Sequence, residues 1–81
     1  MASPKPNITI YSAPWCAFCH AAKEYLDAKG FAYTDIDIEK DRSGAQAVVA
    51  KSGQMGIPVL DIDGTIIVGF DRPKIDAALA K

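Results

Sequence analysis

The sequence predicts a small α/β domain in which a four-stranded mixed sheet is flanked by three helices. Segments rich in β-branched and aromatic residues alternate with segments whose apolar residues recur at helical spacing. The last two strand-like segments are joined by Asp63 and Gly64, a strong signal for a two-residue hairpin. A strand–helix–strand crossover followed by an antiparallel hairpin gives a mixed sheet with helices packed on it.

Composition indicates one folded unit. The chain has 81 residues, of which 49% are hydrophobic and 23% charged, as in ordinary globular domains. Residues 1–6 carry two prolines and polar neighbours, so we expect a flexible leader followed by a single domain over residues 7–81. The net charge of −1 offers no basic stripe for nucleic acid, and no apolar run is long enough to span a membrane. We therefore expect a cytoplasmic monomer without a nucleic-acid or membrane partner.

The first strand and the first helix present both cysteines between them. Residues 8–11 alternate as a strand does, and Pro14 ends this pattern. Apolar and small residues then recur at helical spacing over residues 17–29, and Gly30 stands where a glycine commonly terminates a helix.

A second strand and a second helix follow. Residues 31–38 predict a strand with apolar side chains on both faces, Phe31 and Tyr33 on one and Ile36 and Ile38 on the other. The second helix is expected from Asp41, as the N-cap, to about Lys51, with Gly53 as its stop. Its inward residues are predicted to be Ala45, Val48 and Val49.

The chain ends with a hairpin and a third helix. Residues 57–62 and 65–68 predict the two hairpin strands. Asp71 is expected to cap the third helix, with Pro73 tolerated in its first turn. The predicted apolar stripe of this helix comprises Ile75, Ala78 and Leu79.

Cys16 and Cys19 are the chemical centre of the sequence. A disulfide that encloses only two residues adds little to stability, so the pair points to redox chemistry. With Cys16 at the start of the first helix, Cys19 lies one turn later on the same face, and the helix start favours a thiolate at Cys16. We predict that Cys16 is the nucleophile and that Cys19 resolves the mixed disulfide.

Residues around the pair are predicted to contact the substrate. Trp15 and Phe18 offer apolar surface for docking, although ordinary packing is an equal alternative for Phe18. The bond between Ile57 and Pro58 is predicted to be cis and to face the nucleophile, with a plain trans strand breaker as the alternative. No metal site is predicted, because His20 is too close in sequence to share an ion with the cysteines and no second pair is present.

Four motifs stand in order along the chain: WCAFCH at 15–20, GIPV at 56–59, DIDG at 61–64 and VGFD at 68–71. Together they resemble the glutaredoxin family over about residues 7–80. The resemblance implies a thioredoxin-like (glutaredoxin) fold and a dithiol oxidoreductase. Cys16 and Cys19 match the nucleophilic and resolving cysteines of the family, and Pro58 matches its cis-proline.

Two departures from the family pattern concern the electron donor. Glutathione-using members carry a lysine three residues before the first cysteine, where this chain has Ala13. They also carry a Gly-Gly-x-Asp turn, where this chain has Gly69, Phe70 and Asp71. The turn is more similar to that of the NrdH-type redoxins, which serve ribonucleotide reductase. This similarity implies electrons from thioredoxin reductase, with Gly69, Phe70 and Asp71 contacting the substrate.

The predicted function is the reduction of protein disulfides through a reversible disulfide between Cys16 and Cys19, without a tightly bound cofactor. A glutathione-dependent glutaredoxin is one alternative, with glutathione as co-substrate and Lys23, Arg42 or Lys51 replacing the missing cation. A second alternative is a binding module that holds a [2Fe–2S] cluster between two copies through Cys16 and glutathione, as some glutaredoxins do.

Overall fold

The computed structural model describes residues 7–53 and 56–80 and contains the predicted order of elements. The strands are β1 (Ile8–Ser12), β2 (Thr34–Asp37), β3 (Val59–Ile62) and β4 (Thr65–Val68). The helices are α1 (Ala17–Ala28), α2 (Arg42–Ser52) and α3 (Arg72–Leu79). The leader predicted at residues 1–6 lies outside the described residues. Within the described ranges, no helix has the length and apolar character needed to cross a membrane.

The four strands form one mixed sheet, as predicted, and their order in the sheet is β2-β1-β3-β4. β1 runs parallel to β2, with Thr9 opposite Thr34, and antiparallel to β3, with Ile10 opposite Leu60. β3 and β4 are the antiparallel hairpin. Because α1 connects the parallel strands β1 and β2, it begins at the carboxyl end of the central strand β1. Both cysteines lie at this edge of the sheet.

The core is divided between the two faces of the sheet. A main cluster of buried side chains lies between the sheet and helices α1 and α3: Ile8, Ile10, Ala22, Leu26, Leu60, Ile62, Ile67, Ile75 and Ala78. A smaller cluster under α2 contains Tyr11, Val48 and Val59. Both faces of the sheet are therefore covered, but fewer fully buried side chains lie beneath α2.

The predicted capping and stop residues of the helices are confirmed. Asp41 and Asp71 each accept a hydrogen bond from the backbone N–H three residues on, at 3.1 and 3.3 Å. Gly30 and Gly53 have φ of +81° and +78°, the left-handed conformation in which a helix commonly ends on glycine. Local capping chemistry thus sets the bounds of the helices.

The hairpin turn is also confirmed. Asp63 and Gly64 have φ of +50° and +91°, as a two-residue turn with both central residues at positive φ requires. Asp61 Oδ1 accepts the N–H of Gly64 at 2.9 Å, and Asp63 exchanges two hydrogen bonds with Asn7, at 2.8 and 2.9 Å. The turn is thereby fastened to the start of the described chain.

Two strands begin later than predicted. β2 starts at Thr34, the first of its residues with a partner in β1, whereas Phe31 and Tyr33 pack against the main core before the ladder begins. The predicted division of its apolar side chains between two faces is correct. β3 starts at Val59, because Pro58 has no N–H to donate to a ladder.

One predicted core residue is wrong. Val49 is 45% exposed and faces solvent, whereas Val48 is fully buried and Ala47 packs beside it. Each residue of a helix is turned about 100° from the one before, so with Val48 centred on the sheet its successor points away. The helix itself extends slightly beyond the predicted end, to Ser52.

Candidate active site

Cys16 lies in the turn between β1 and α1 and caps the helix. Its backbone is extended, with φ −88° and ψ 108°, and its Sγ accepts the backbone N–H of Cys19 at 3.1 Å. A Ser, Thr, Asp or Asn oxygen usually occupies such a position, and here a sulfur replaces it. The free N–H groups of the first turn and the positive end of the helix dipole therefore point at this sulfur.

Cys19 is more deeply buried than Cys16. Its side chain is inaccessible to solvent, whereas Cys16 retains 7% exposure, and both are free thiols. Burial raises the pKa of Cys19 to about 12, and the hydrogen bond with Cys16 raises it too, while a hydrogen bond with the Ala13 backbone acts in the opposite direction. The two sulfurs thus lie one turn apart in different surroundings.

Ala13 forms the floor beneath the two thiols. It is 1% exposed and belongs to a buried cluster with both cysteines, against which Ile38 and Ile57 pack. Its carbonyl accepts the N–H of Cys16 at 3.1 Å. The position at which glutathione-using glutaredoxins carry a lysine is therefore a buried, small-residue position in this chain.

The loop before β3 also reaches this cluster. The peptide bond between Ile57 and Pro58 is cis, as predicted. Pro58 is buried, and its carbonyl accepts the N–H of Gly69 at 2.7 Å. Gly69 has φ of +83°, so a glycine suits this turn. The structure thus joins three predicted site residues, Ile57, Pro58 and Gly69, and brings the first of them against the cysteines.

Phe70 and Asp71 have structural partners. The Phe70 ring packs edge-to-face against Tyr25, with centroids 5.7 Å apart, and lies on the main core. Asp71 is the N-cap of α3, and its carboxylate lies 3.8 Å from the Lys74 ammonium. Their contact with a substrate remains a prediction.

An open groove lies beside the thiols. It has a volume of about 290 Å³ and is lined by Trp15, Ile38, Gly56 and Ile57. Trp15 and Phe18 are each 67% exposed, so the two predicted docking aromatics present their rings to solvent on either side of Cys16 in sequence. A substrate segment laid in this groove would meet apolar walls next to the first sulfur.

Glu39 is a site residue that sequence reasoning missed. Its carboxylate accepts the indole N–H of Trp15, and its own backbone N–H donates to Asp37 Oδ1 at 2.9 Å. Trp15 and Glu39 lie 24 positions apart in the chain, and the sequence carries no signal of this contact. It exists because β2 runs parallel to β1, so the segments that follow both strands emerge at one edge of the sheet.

A charged network lies behind the second cysteine. Asp35 accepts hydrogen bonds from Ser12 Oγ at 2.5 Å and from Lys23 Nζ at 2.9 Å. Burial opposes ionisation of Asp35, but these hydrogen bonds outweigh it and hold its pKa below the usual value. The hydrogen bond to Asp35 raises the pKa of Lys23, and the charge of Lys23 counteracts part of the rise in the pKa of Cys19.

Comparisons with known proteins identify the family of the chain. A family model described as glutaredoxin matches residues 8–67. The chain is 40% identical over 74 residues to a glutaredoxin-like 8.6 kDa protein of the rubredoxin operon of Clostridium pasteurianum, a match that covers 91% of this chain and 99% of that protein. It is also 31% identical over 65 residues to glutaredoxin 3 of Escherichia coli K12, covering 80% of this chain and 78% of that protein.

A solved structure gives the same result for the fold. The NrdH-redoxin of Escherichia coli, described as a glutaredoxin-like protein with a thioredoxin-like activity profile, superposes with a TM-score of 0.80 at 30% sequence identity. The match covers 88% of this chain and 92% of that protein. The chain therefore belongs to the glutaredoxin family and is a thiol–disulfide redox protein with the thioredoxin-like fold.

Proposed function

We propose that this protein reduces protein disulfides and that Cys16 and Cys19 alternate between two thiols and one disulfide. The observation that carries the proposal is the hydrogen bond from the Cys19 N–H to the slightly exposed Cys16 sulfur, with the inaccessible Cys19 thiol one turn behind it. One sulfur can reach a substrate, and the other is kept for the second step.

The proposed reaction has two exchanges. The Cys16 thiolate attacks a substrate sulfur, a Cys16–substrate disulfide forms, and the substrate disulfide breaks, with the leaving sulfur taking a proton. The Cys19 thiol then loses its proton and attacks Cys16, which forms the Cys16–Cys19 disulfide and releases the second substrate thiol. Two electrons and two protons pass to the substrate.

Lys23 assists the second exchange in this scheme. Cys19 must lose a proton although burial raises its pKa, and the positive charge of Lys23 favours the thiolate. The sulfurs carry both electrons, so the mechanism requires no tightly bound cofactor. We place this activity in a cytoplasmic monomer, because the cytoplasm maintains the reducing conditions under which such a dithiol is recharged.

We further propose that thioredoxin reductase returns the electrons. Two features weaken the case for glutathione: Ala13 is buried where glutathione-using members carry a lysine, and the side chains of Lys23 and Lys51 are already in ion pairs at 2.9 Å with Asp35 and Asp61. The similarity to an NrdH-redoxin with a thioredoxin-like activity profile supports the same donor.

Glutathione as co-substrate is the competing proposal. The 31% identity to glutaredoxin 3 of Escherichia coli favours it. The two donors are distinguished by a paired assay, in which insulin disulfides are the substrate and NADPH consumption is followed with either thioredoxin reductase or glutathione and its reductase. We expect turnover with thioredoxin reductase and little with glutathione. Turnover with glutathione and little with thioredoxin reductase would show that glutathione is the electron donor. No turnover with either donor would refute the proposed activity.

The roles of the two cysteines are tested by serine variants. Cys16→Ser should abolish turnover, because no accessible nucleophile remains. Cys19→Ser should retain the first exchange and accumulate the mixed disulfide, which non-reducing electrophoresis and mass spectrometry detect. If Cys19→Ser turned over protein disulfides like the unmodified chain, the resolving role would be wrong.

A further inference from the structure

We infer that the groove beside Cys16 selects disulfides flanked by a lysine or an arginine, and that Glu39 determines this preference. The inference rests on the proposed function and names the class of substrate for the same site. It follows from the juxtaposition of a carboxylate, an exposed indole and an apolar groove next to the predicted nucleophile.

The negative charge at this site is held in place. Glu39 accepts the Trp15 indole N–H, and the backbone N–H of Glu39 donates to the Asp37 carboxylate at 2.9 Å. These two bonds fix one carboxylate at the rim of the groove and a second beside it. The Glu39 side chain, which would be mobile in solvent without these bonds, is therefore held next to the groove in which we propose that the substrate binds.

The aromatic side chains add to the attraction for a cation. Trp15 and Phe18 are both 67% exposed, so their ring faces are available to a substrate. An ammonium or a guanidinium gains from contact with an aromatic face, and most strongly with that of tryptophan. Because the Trp15 indole N–H is directed at Glu39, a cation over this ring lies close to the carboxylate as well.

No ion pair among the described residues neutralises the Glu39 carboxylate. The lining residues Trp15, Ile38, Gly56 and Ile57 carry no ionisable side chain. None of the ion pairs among the described residues involves Glu39 or Asp37. Lys40 is the adjacent cation in sequence, and it is exposed. An incoming lysine or arginine therefore finds a carboxylate without a described ion-pair partner, whereas an acidic flank or a glutathione carboxylate is repelled.

The test uses three disulfide-bonded peptides that differ only in the residue after the attacked cysteine, which is Lys, Gln or Glu. Reduced full-length protein is mixed with each peptide under single-turnover conditions, and the fluorescence of Trp15, the sole tryptophan, reports the reaction. We expect the Lys peptide to react about five-fold faster than the Glu peptide at low ionic strength, with the difference shrinking in high salt, as for exposed charge pairs.

Variants of Glu39 assign the effect. Glu39→Gln should bring the rates for the three peptides together, and Glu39→Lys should reverse their order and accelerate the reduction of glutathione disulfide. Two matched controls should keep the wild-type order: Glu24→Gln, which removes an exposed carboxylate from α1, and Lys40→Gln, which removes the cation beside Glu39.

The outcomes separate this inference from the proposed function. Equal rates for the three peptides in the wild-type protein, or an unchanged order in Glu39→Gln, would overturn the inference while leaving disulfide reduction intact. Failure of the wild-type protein to reduce any of the three would instead refute the function proposed for Cys16 and Cys19.

Discussion

Cys16 and Cys19 lie one helical turn apart, yet only the first touches solvent. Cys16 lies at the start of the helix, where its sulfur accepts a backbone N–H. Cys19 lies one turn inside the helix and belongs to the buried cluster. The same short motif thus produces two thiols with different chemistry, because the helix buries one side of its first turn against Ala13 and Ile57.

Stability at alkaline pH should report on Cys19. The ordinary pKa of a cysteine thiol is 9.0, and in the folded protein the pKa of Cys19 is raised to about 12. Burial and the hydrogen bond with Cys16 cause this rise, because both disfavour the thiolate. Unfolding therefore releases a proton between these values, so the stabilisation present below about pH 9 is lost as the pH rises through this interval. We expect the free energy of unfolding of the reduced protein to fall in this range.

The measurement compares urea unfolding of reduced wild-type protein and Cys19→Ala from neutral pH to about pH 11. The tyrosines and lysines titrate in the same range in both proteins, so the difference between the two curves isolates Cys19. Cys19→Ala should be the less stable at neutral pH, and the gap should narrow toward alkaline pH. A constant gap would show that Cys19 is not protected from ionisation.

The sequence predicts the proposed reactive residues better than Glu39, the residue for which we infer a role in substrate selection. Cys16, Cys19 and Pro58 belong to short sequence motifs, and the spacing of these motifs predicts where the three residues lie in the fold. Glu39 has no such motif, because its contact with Trp15 depends on the parallel register of β1 and β2, and this register is a long-range property. Ala13 is similar, since only packing shows that it lies beneath the thiols.

Gly44 shows how an element can require a residue that weakens it locally. Glycine lowers helix stability by about 1 kcal/mol relative to alanine, so the sequence alone marks Gly44 as a weak point of α2. In the structure, a Cβ at Gly44 would lie 2.5 Å from Cγ2 of Ile36. The helix is therefore held close to β2, and the glycine permits this approach.

Gly44→Ala should destabilise the protein despite its better helix propensity. Ile36 is β-branched and has little freedom to move away, and such overpacking typically costs about 1–3 kcal/mol. We expect a net loss of up to about 2 kcal/mol after the gain in propensity, measured by chemical unfolding. Ser43→Ala, at an exposed position of the same helix, is the control and should be neutral or slightly stabilising. An increase in stability for Gly44→Ala would mean that the helix can shift outward without cost.

Elements governed by local chemistry were predictable, and those governed by packing were less so. The caps at Asp41 and Asp71 and the turn at Asp63 are written in a few adjacent residues, and the structure contains all three. The orientation of Val49 depends on how α2 is rotated against the sheet, which one buried residue, Val48, decides. A short helix with few apolar residues leaves that rotation open in the sequence.

The two faces of the sheet hold different numbers of buried apolar side chains. Helices α1 and α3 contribute Ala22, Leu26, Ile75 and Ala78 to the main cluster, whereas α2 buries Val48 and the backbone of Gly44. Regions with few buried apolar contacts open at lower free energy than the core. We infer that α2 opens locally while the sheet and the other two helices remain folded.

Hydrogen exchange of Leu26→Ala tests this division. Leu26 is fully buried in the main cluster, and its truncation should cost about 2–5 kcal/mol of global stability. If β1 and β3 belong to the most stable unit, their amides exchange only through global unfolding. The free energy of exchange of these amides should then fall by the full loss of global stability in Leu26→Ala. Amides in the middle of α2 should exchange faster in the wild-type protein and should change little in the variant, because their opening leaves Leu26 packed. An equal fall in protection for α2 and β1 would instead show that both faces unfold as one cooperative unit.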